Sequence, residues 1–166
     1  MKPEILYSLS YGMFGLGVKT SEGRPSASIV NTVMQVASDP MTVAVSVHHD
    51  NFSNECIRNN RIFTVSVLSE ETSAFTIGSL GFRSGRDTDK LAKLNYHLDS
   101  DGLPVLEDNI CCYFKCMVMS TAETPTHTIF LGEVIEGSDE SVGTPMTYRY
   151  YHNVVKGKTP SNAPHS

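Results

Sequence analysis

Three stretches of this sequence place polar side chains where chemistry could be done: VNTVMQVASDP (30–40), DNFSNEC (50–56) and FRSGRDTDK (82–90). The first sets Asn31, Thr32, Gln35 and Ser38 among Val33, Val36 and Ala37, inside what otherwise reads as a strand. A buried amide or hydroxyl left without a partner costs about 1 to 3 kcal/mol. The segment is therefore either an exposed edge with a solvated face or a surface on which something flat and polar docks. In the second stretch Asp50 or Asn51 can cap a helix whose first turn carries Ser53 and Asn54. The free N–H groups of such a terminus attract phosphate, although simple capping accounts for the same residues. The third gathers Arg83, Arg86 and Lys90 around Ser84-Gly85. Arginine suits bidentate phosphate contacts, lysine adds a point charge, and glycine lets the backbone turn toward an anion. Equally, Asp87 and Asp89 can pair with these cations and leave a solvated, charged turn.

His127, in THTIFLGEV, falls on a strand with Glu133 on the same alternation. It can serve as an acid, a ligand or, as a lone histidine usually does, a satisfied half-buried residue. His48 and His49 are adjacent, and neighbouring strand residues point to opposite faces, so they cannot easily share an ion and no metal site is expected. The four cysteines, Cys56, Cys111, Cys112 and Cys116, form no C-x-x-C pair, and neither a disulfide framework nor a zinc site fits them. With Phe114 and Val118 on the face of Cys112 and Cys116, the thiols read as small hydrophobes. Gly12, Gly15 and Gly17 are not in dinucleotide-fingerprint order, and there is no Walker loop.

The elements that must position these residues are mostly strands. Hydrophobic periodicity predicts a short helix at 3–9, a lid or plug, and then a hairpin of strands at 13–19 and 27–36 around the turn at 21–25. A half-buried strand follows at 41–48, with Val43, Val45 and Val47 alternating against the small residues Thr42, Ala44 and Ser46. Further predicted elements are a helix from Asp50 or Asn51, a strand at 61–68, a helix at 71–80, and strands at 110–120, 127–136 and 146–150. Between 81 and 102 the apolar period fails, with only Leu91, Leu94 and Leu98 hinting at a short helix. From Asn153 onward the sequence reads as an extended arm. Many short strands with few helices argue for a mainly β barrel or sandwich.

At 166 residues the chain matches one domain, with 40% hydrophobic and 19% charged residues. No apolar run is long enough for a membrane-spanning helix, and the first residues do not read as a secretory signal, so a cytoplasmic protein is expected. Thirteen basic against eighteen acidic residues leave a net charge of −5, which opposes nucleic acid and anionic lipid as partners.

Taken in order, these segments resemble the flavin reductase-like FMN-binding split-barrel family, most closely the flavoredoxin group and the flavin domain of high-molecular-weight rubredoxins. The likeness runs from LSYGMFGLGVKT (9–20) through NTVMQVASDP, SNEC, FRSGRDTDK and THTIFLGEV to YYHNVVKGKTP (150–160). It implies a mainly β, Greek-key split barrel with a few short helices over residues 1–152, an extended arm over 153–166, and a homodimer with FMN near the subunit interface. On the matching positions Asn31, Thr32, Val33 and Gln35 would meet the isoalloxazine edge, and Ala37 and Ser38 would continue along it. Ser53, Asn54, Arg83, Ser84 and Arg86 would hold the ribityl phosphate, with Lys90 adding charge nearby. His127 would lie near the exposed flavin face, where a nicotinamide or an electron partner is received. The implied activity is that of a flavin-dependent NAD(P)H oxidoreductase handing electrons to an acceptor such as rubredoxin or another redox protein. The alternative is a non-enzymatic FMN electron carrier with no nicotinamide site. Fused relatives carry a rubredoxin with two C-x-x-C pairs, which this sequence lacks, so such a partner is expected as a separate molecule.

Overall fold

The computed structural model describes residues 1–81, 84–86 and 88–155. A 3₁₀ helix (Pro3–Ser8) leads into β1 (Phe14–Lys19), β2 (Pro25–Val30), β3 (Val33–Ser38) and β4 (Met41–His48). Helix α1 (Phe52–Asn60), β5 (Ile62–Leu68), α2 (Ala74–Gly81) and the small strands β6 (Tyr96–Leu98) and β7 (Pro104–Leu106) follow. The chain then forms β8 (Ile110–Glu123), β9 (His127–Gly137), α3 (Tyr148–Tyr150) and a wider helical turn, Tyr151–Val155.

Seven strands make one antiparallel sheet in the order β2-β1-β5-β8-β9-β4-β3. The expected hairpin is β1 with β2, from Lys19 opposite Pro25 to Phe14 opposite Val30. The single strand predicted at 27–36, however, is two strands at opposite edges of the sheet. Asn31 and Thr32 alone connect them. Gly12 N donates to Asn31 O at 3.3 Å and Ser46 N donates to Thr32 O at 3.1 Å, so both carbonyls of this connection are used by neighbouring backbone. Two residues span only about 7 Å. The sheet must therefore curl until its two edges meet, which makes it a split barrel.

Leu16, Val18, Val45, Phe63, Val65 and Phe130 fill the interior, and Cys56 and Ile57 of α1 join the same cluster. The opposite side of β1 and β2 buries Met13, Ala27 and Ile29 against α2, Leu91 and the C-terminal Tyr148 and Tyr151. On this outer side β7 presses close to β1: a Cβ on Gly17 would lie 2.5 Å from Pro104 O, and Thr64 Oγ1 donates to that carbonyl at 2.7 Å. The glycines of β1 thus serve close approach, not phosphate.

Other expectations shift for local reasons. The strand predicted at 146–150 is helical from Tyr148, because Thr147 caps it by accepting from Tyr150 N at 3.0 Å, and Tyr148 and Tyr151 bury one face. The helix expected at 71–80 starts at Ala74, since Ser69, Thr72 and Asn109 hold the preceding turn. Arg61 ends α1 in the left-handed region at φ 66° instead of opening β5. Leu91 and Leu94 lie in turns, and Leu98 belongs to β6, one of two short strands that periodicity missed. The N-terminal helix buries none of its residues, so within one chain it plugs nothing. The helical turn reaches Val155, and residues 156–166 of the expected arm lie outside the described residues. No helix among the described residues is long and apolar enough to cross a membrane.

Candidate functional site

The start of α1 is the centre of the site. Asn51 is its cap, with Oδ1 accepting from Ser53 N at 2.9 Å and Nδ2 donating to Ser28 Oγ at 3.3 Å. Ser28 and Ser53 share a hydrogen bond of 2.9 Å between buried hydroxyls. Ser26 and Ser28 lie on one face of β2, both buried. Gly85 of the cationic loop packs onto this face so closely that an added Cβ would collide with Ser26 Oγ and come within 3.1 Å of Phe52. Arg24 fastens the loop by donating from Nη2 to Gly85 O at 2.8 Å.

Cations cluster here. The guanidinium carbons of Arg24 and Arg86 stand 5.8 Å and 4.7 Å from the Phe52 ring centroid. Arg86 also meets Glu55 at 3.3 Å, with both side chains about half exposed. Lys90 is only 8% exposed, and its stem approaches the Cβ position of Gly85 at 3.6 Å. It pairs with no acid among the described residues, and burial lowers its pKa from 10.5 to about 8. A buried cation whose stem packs at Gly85, where the loop lies on the serine face of β2 near a helix start, fits a bound phosphate.

The structure brings Ser53, Asn54, Ser84, Arg86 and Lys90 to this end of the barrel. Asn54 does not offer its side chain to a ligand: Nδ2 donates to Val47 O at 3.1 Å, and Oδ1 accepts from Arg58 Nε at 2.7 Å. Ser84 is exposed, and its Oγ accepts from Arg86 N at 3.2 Å. Arg83 lies outside the described residues.

Asn31 and Thr32 sit in the barrel-closing connection, three residues or about 10 Å along β2 from Ser28. Asn31 is buried, and its Oδ1 accepts from Thr32 Oγ1 at 3.1 Å. Of the two readings open for this segment, β3 is an edge strand whose residues after Val33 are exposed. Val33 and Gln35 line a small apolar cavity of about 290 Å³, together with Met41 and Phe114. Gln35 Nε2 donates to Ala37 O at 3.0 Å, and Ala37 and Ser38 face outward.

His127 lies at the far end of β4, opposite His48 in the ladder. Its Nδ1 shares a 2.8 Å hydrogen bond with Thr126 Oγ1, while Nε2 is buried without a partner among the described residues. Burial lowers its pKa below 6.5, and the nearby His48 and His49 add to the shift. Arg58, Glu123, Thr128 and His49 form a network beside it: Arg58 Nη2 donates to Glu123 Oε1 at 2.6 Å and to Thr128 Oγ1 at 2.7 Å, and His49 meets Glu123 at 2.8 Å. Glu133 pairs with Thr42, at the opposite end of the β4–β9 ladder from His127. The cysteines behave as read: Cys56, Cys111 and Cys116 are buried, and burial pushes Cys56 and Cys116 up to about 11 and about 12.

Sequence reasoning missed Arg24, Ser26, Ser28, Phe52 and His48. The available signal was the alternation Ser26-Ala27-Ser28-Ile29, which puts small hydroxyls on one face of a strand buried on both sides.

Comparison with known proteins agrees with this architecture. The profile of the family described as "Flavin reductase like domain" matches residues 8–156. The high molecular weight rubredoxin of Moorella thermoacetica is 40% identical over 99% of this chain and 71% of its own length. The ferric-chelate reductase (NAD(P)H) of Archaeoglobus fulgidus is 32% identical over 98% of this chain and 96% of its own. Among solved structures, the flavoredoxin of Methanosarcina acetivorans has the same fold, with a TM-score of 0.71 and 23% identity over 82% of this chain and 74% of that one. On its sequence and its closed, seven-stranded architecture, the chain belongs to the flavin reductase like domain family.

Proposed function

We propose that the chain binds FMN and works as a flavin-dependent NAD(P)H oxidoreductase, passing electrons to an acceptor such as rubredoxin or another redox protein. The observation that carries this reading is Lys90, a buried cation without an acid partner among the described residues, whose stem packs at Gly85 where the loop lies on the serine face of β2, near the start of α1. The names of the relatives, one a rubredoxin and one an NAD(P)H reductase, support the same direction.

In this reading the hydroxyls of Ser28 and Ser53, the N–H groups of the first turn of α1, Ser84, Arg86 and Lys90 hold the phosphate, with Arg83 contributing from the same loop. Arg24 keeps that loop seated. Asn54 acts through its backbone, because its side chain is spent on Val47 and Arg58. Asn31, Thr32, Val33, Gln35, Ala37 and Ser38 present amides, hydroxyls and backbone groups along the ring edge. When bound, FMN supplies hydride acceptance and single-electron release. His127 would border the open face as a neutral imidazole, its Nε2 buried and its Nδ1 held by Thr126, so that it shapes the nicotinamide side through its position beside His48.

The exposed Met34, Val36, Met41, Met117, Met119 and Ile135 of β3, β4, β8 and β9 support a homodimer, since an apolar surface of this kind favours a partner. We place this protein in the cytoplasm. Stopped-flow mixing of holoprotein with NADH or NADPH tests the activity: bleaching of the flavin band on a catalytic timescale is expected. Its absence with both nucleotides would reject the reductase reading, and a colourless protein that takes up no FMN would reject the whole. Light scattering on the eluting holoprotein tests the dimer.

A further inference from the structure

A cleft of about 670 Å³ lies between the N-terminal segment and the C-terminal helical turn, away from the cationic loop. Its volume falls in the range of about 300 to 1,000 Å³ usual for small-molecule sites. Three tyrosines line it: Tyr7, Tyr11 and Tyr148. Tyr148 is fixed edge-on between Tyr11, 6.4 Å away at 69°, and His152, 4.5 Å away at 85°. Ser8 and Asn153 add hydrogen-bonding groups to the wall. Arg149 stands exposed at the cleft and makes no hydrogen bond or ion pair among the described residues. The exposed ring of Tyr7 and the half-buried ring of Tyr11 for stacking, polar groups for an edge and an uncommitted guanidinium for an anion are together the requirements of a nucleotide.

The cleft joins the rest of the site through backbone. Tyr148 N donates to Tyr11 O at 2.9 Å, and Gly12 N, one residue on, donates to Asn31 O. Thr32 in turn bonds Ser46, two residues from His48, whose ring meets His127. Backbone hydrogen bonds thus tie the cleft wall to the barrel-closing connection and to the strand that carries His48.

We infer that this cleft binds the adenylate half of the pyridine dinucleotide, with the base against the tyrosines and a phosphate on Arg149. The inference rests on the NAD(P)H reading above and names where the non-reacting half of that substrate is held. Binding energy gathered there positions the nicotinamide without taking part in the hydride step.

The test uses FMN-loaded protein and its Arg149→Ala and Tyr7→Ala variants, both changes being at exposed residues. Each is assayed with NADH, NADPH and reduced nicotinamide mononucleotide, which lacks the adenylate. The KM for the dinucleotide used by the wild type should rise about tenfold in Arg149→Ala, the loss of one charge-assisted contact, with kcat and flavin content unchanged. The KM for the mononucleotide should not move. A dinucleotide KM that stays at the wild-type value, or a mononucleotide KM that rises as much, overturns the inference while leaving the reductase reading intact. A wild-type holoprotein that none of the three reduces overturns the reading itself and this inference with it.

Discussion

His48 and His127 face each other across the β4–β9 ladder, with ring centroids 4.9 Å apart and planes 73° from parallel. Burial first, and then the positive potential of His48 and His49, lowers the pKa of His127. A histidine lowered in the folded state is neutral at pH 7. Its contribution to stability is complete above the unfolded value of 6.5 and is lost as pH falls through the lowered folded value. The rate of flavin reduction is therefore expected to be flat between pH 7 and 8, with any His127 limb below pH 6.5. Stopped-flow rates across that range check it. An inflection above pH 7 that disappears in His127→Gln would contradict the lowered pKa.

Lys90 makes the apoprotein sensitive to pH in the opposite range. Its folded pKa of about 8 lies below the unfolded 10.5, so the unfolded chain binds more protons between these values, and stability rises as pH climbs through the window. At pH 7 the buried ammonium costs on the order of 3 kcal/mol. Lys90→Met is accordingly expected to raise the melting temperature of the apoprotein at pH 7 and to weaken FMN binding at the same time. Thermal melts with and without FMN read both effects, and a destabilised apo variant would show that the ammonium is already compensated.

Arg86 is shared between Glu55 and the proposed phosphate. The pair with Glu55 is half exposed and, as such pairs go, contributes about 0.2 to 1 kcal/mol. Arg86→Ala should weaken FMN binding by about 1.5 to 3 kcal/mol. Glu55→Gln should tighten it slightly, by freeing the guanidinium. Fluorescence titration of apoprotein gives both constants, and an unchanged value for Arg86→Ala would move the phosphate to another loop.

Lys115, 3% exposed, ties β8 to the turn between β6 and β7 by meeting Asp99 at 3.0 Å, Asp101 in a shorter contact and Glu136 at 3.8 Å. Burial alone would raise Asp99, but the N–H of Leu103, Lys115 and the N–H of Asp101 hold it below its ordinary value. Lys115→Met strands a buried carboxylate and should cost about 3 to 5 kcal/mol in urea unfolding. Adding Asp99→Asn should recover much of that loss. A single variant as stable as the wild type would show that the carboxylate hydrates instead.

Much of the barrel was legible because its strands obey period two. Val43, Val45 and Val47 turn into the core as expected, although Thr42 and Ala44 on the other face of that strand are buried as well, and Asn51 caps the predicted helix. What periodicity cannot see is where a strand-like run changes sheet edge. Asn31 and Thr32 interrupt the apolar residues of 27–36 with neither Gly nor Pro to mark a turn, and the hydrogen bonds that Gly12 and Ser46, distant in sequence, make to their carbonyls divide the two strands. The helix at Tyr148 escaped for a similar reason, since the aromatic run TYRYY suits a strand until Thr147 caps it. In the site, charged and capping residues announced themselves by type. Ser26 and Ser28 did not, because small hydroxyls on a buried strand look like ordinary packing until a helix start and a glycine are laid against them.

The connection at Asn31 and Thr32 holds the barrel shut with a bridge of two residues, and in the proposed site the same two side chains would meet the flavin ring. Architecture and the proposed ligand contact would thus be fastened by one clasp. Lengthening that clasp by even a residue or two would slacken the rim of the cylinder and shift the ring's resting place together, so specificity in this scaffold has to be retuned at the loops around it, leaving the clasp as it is.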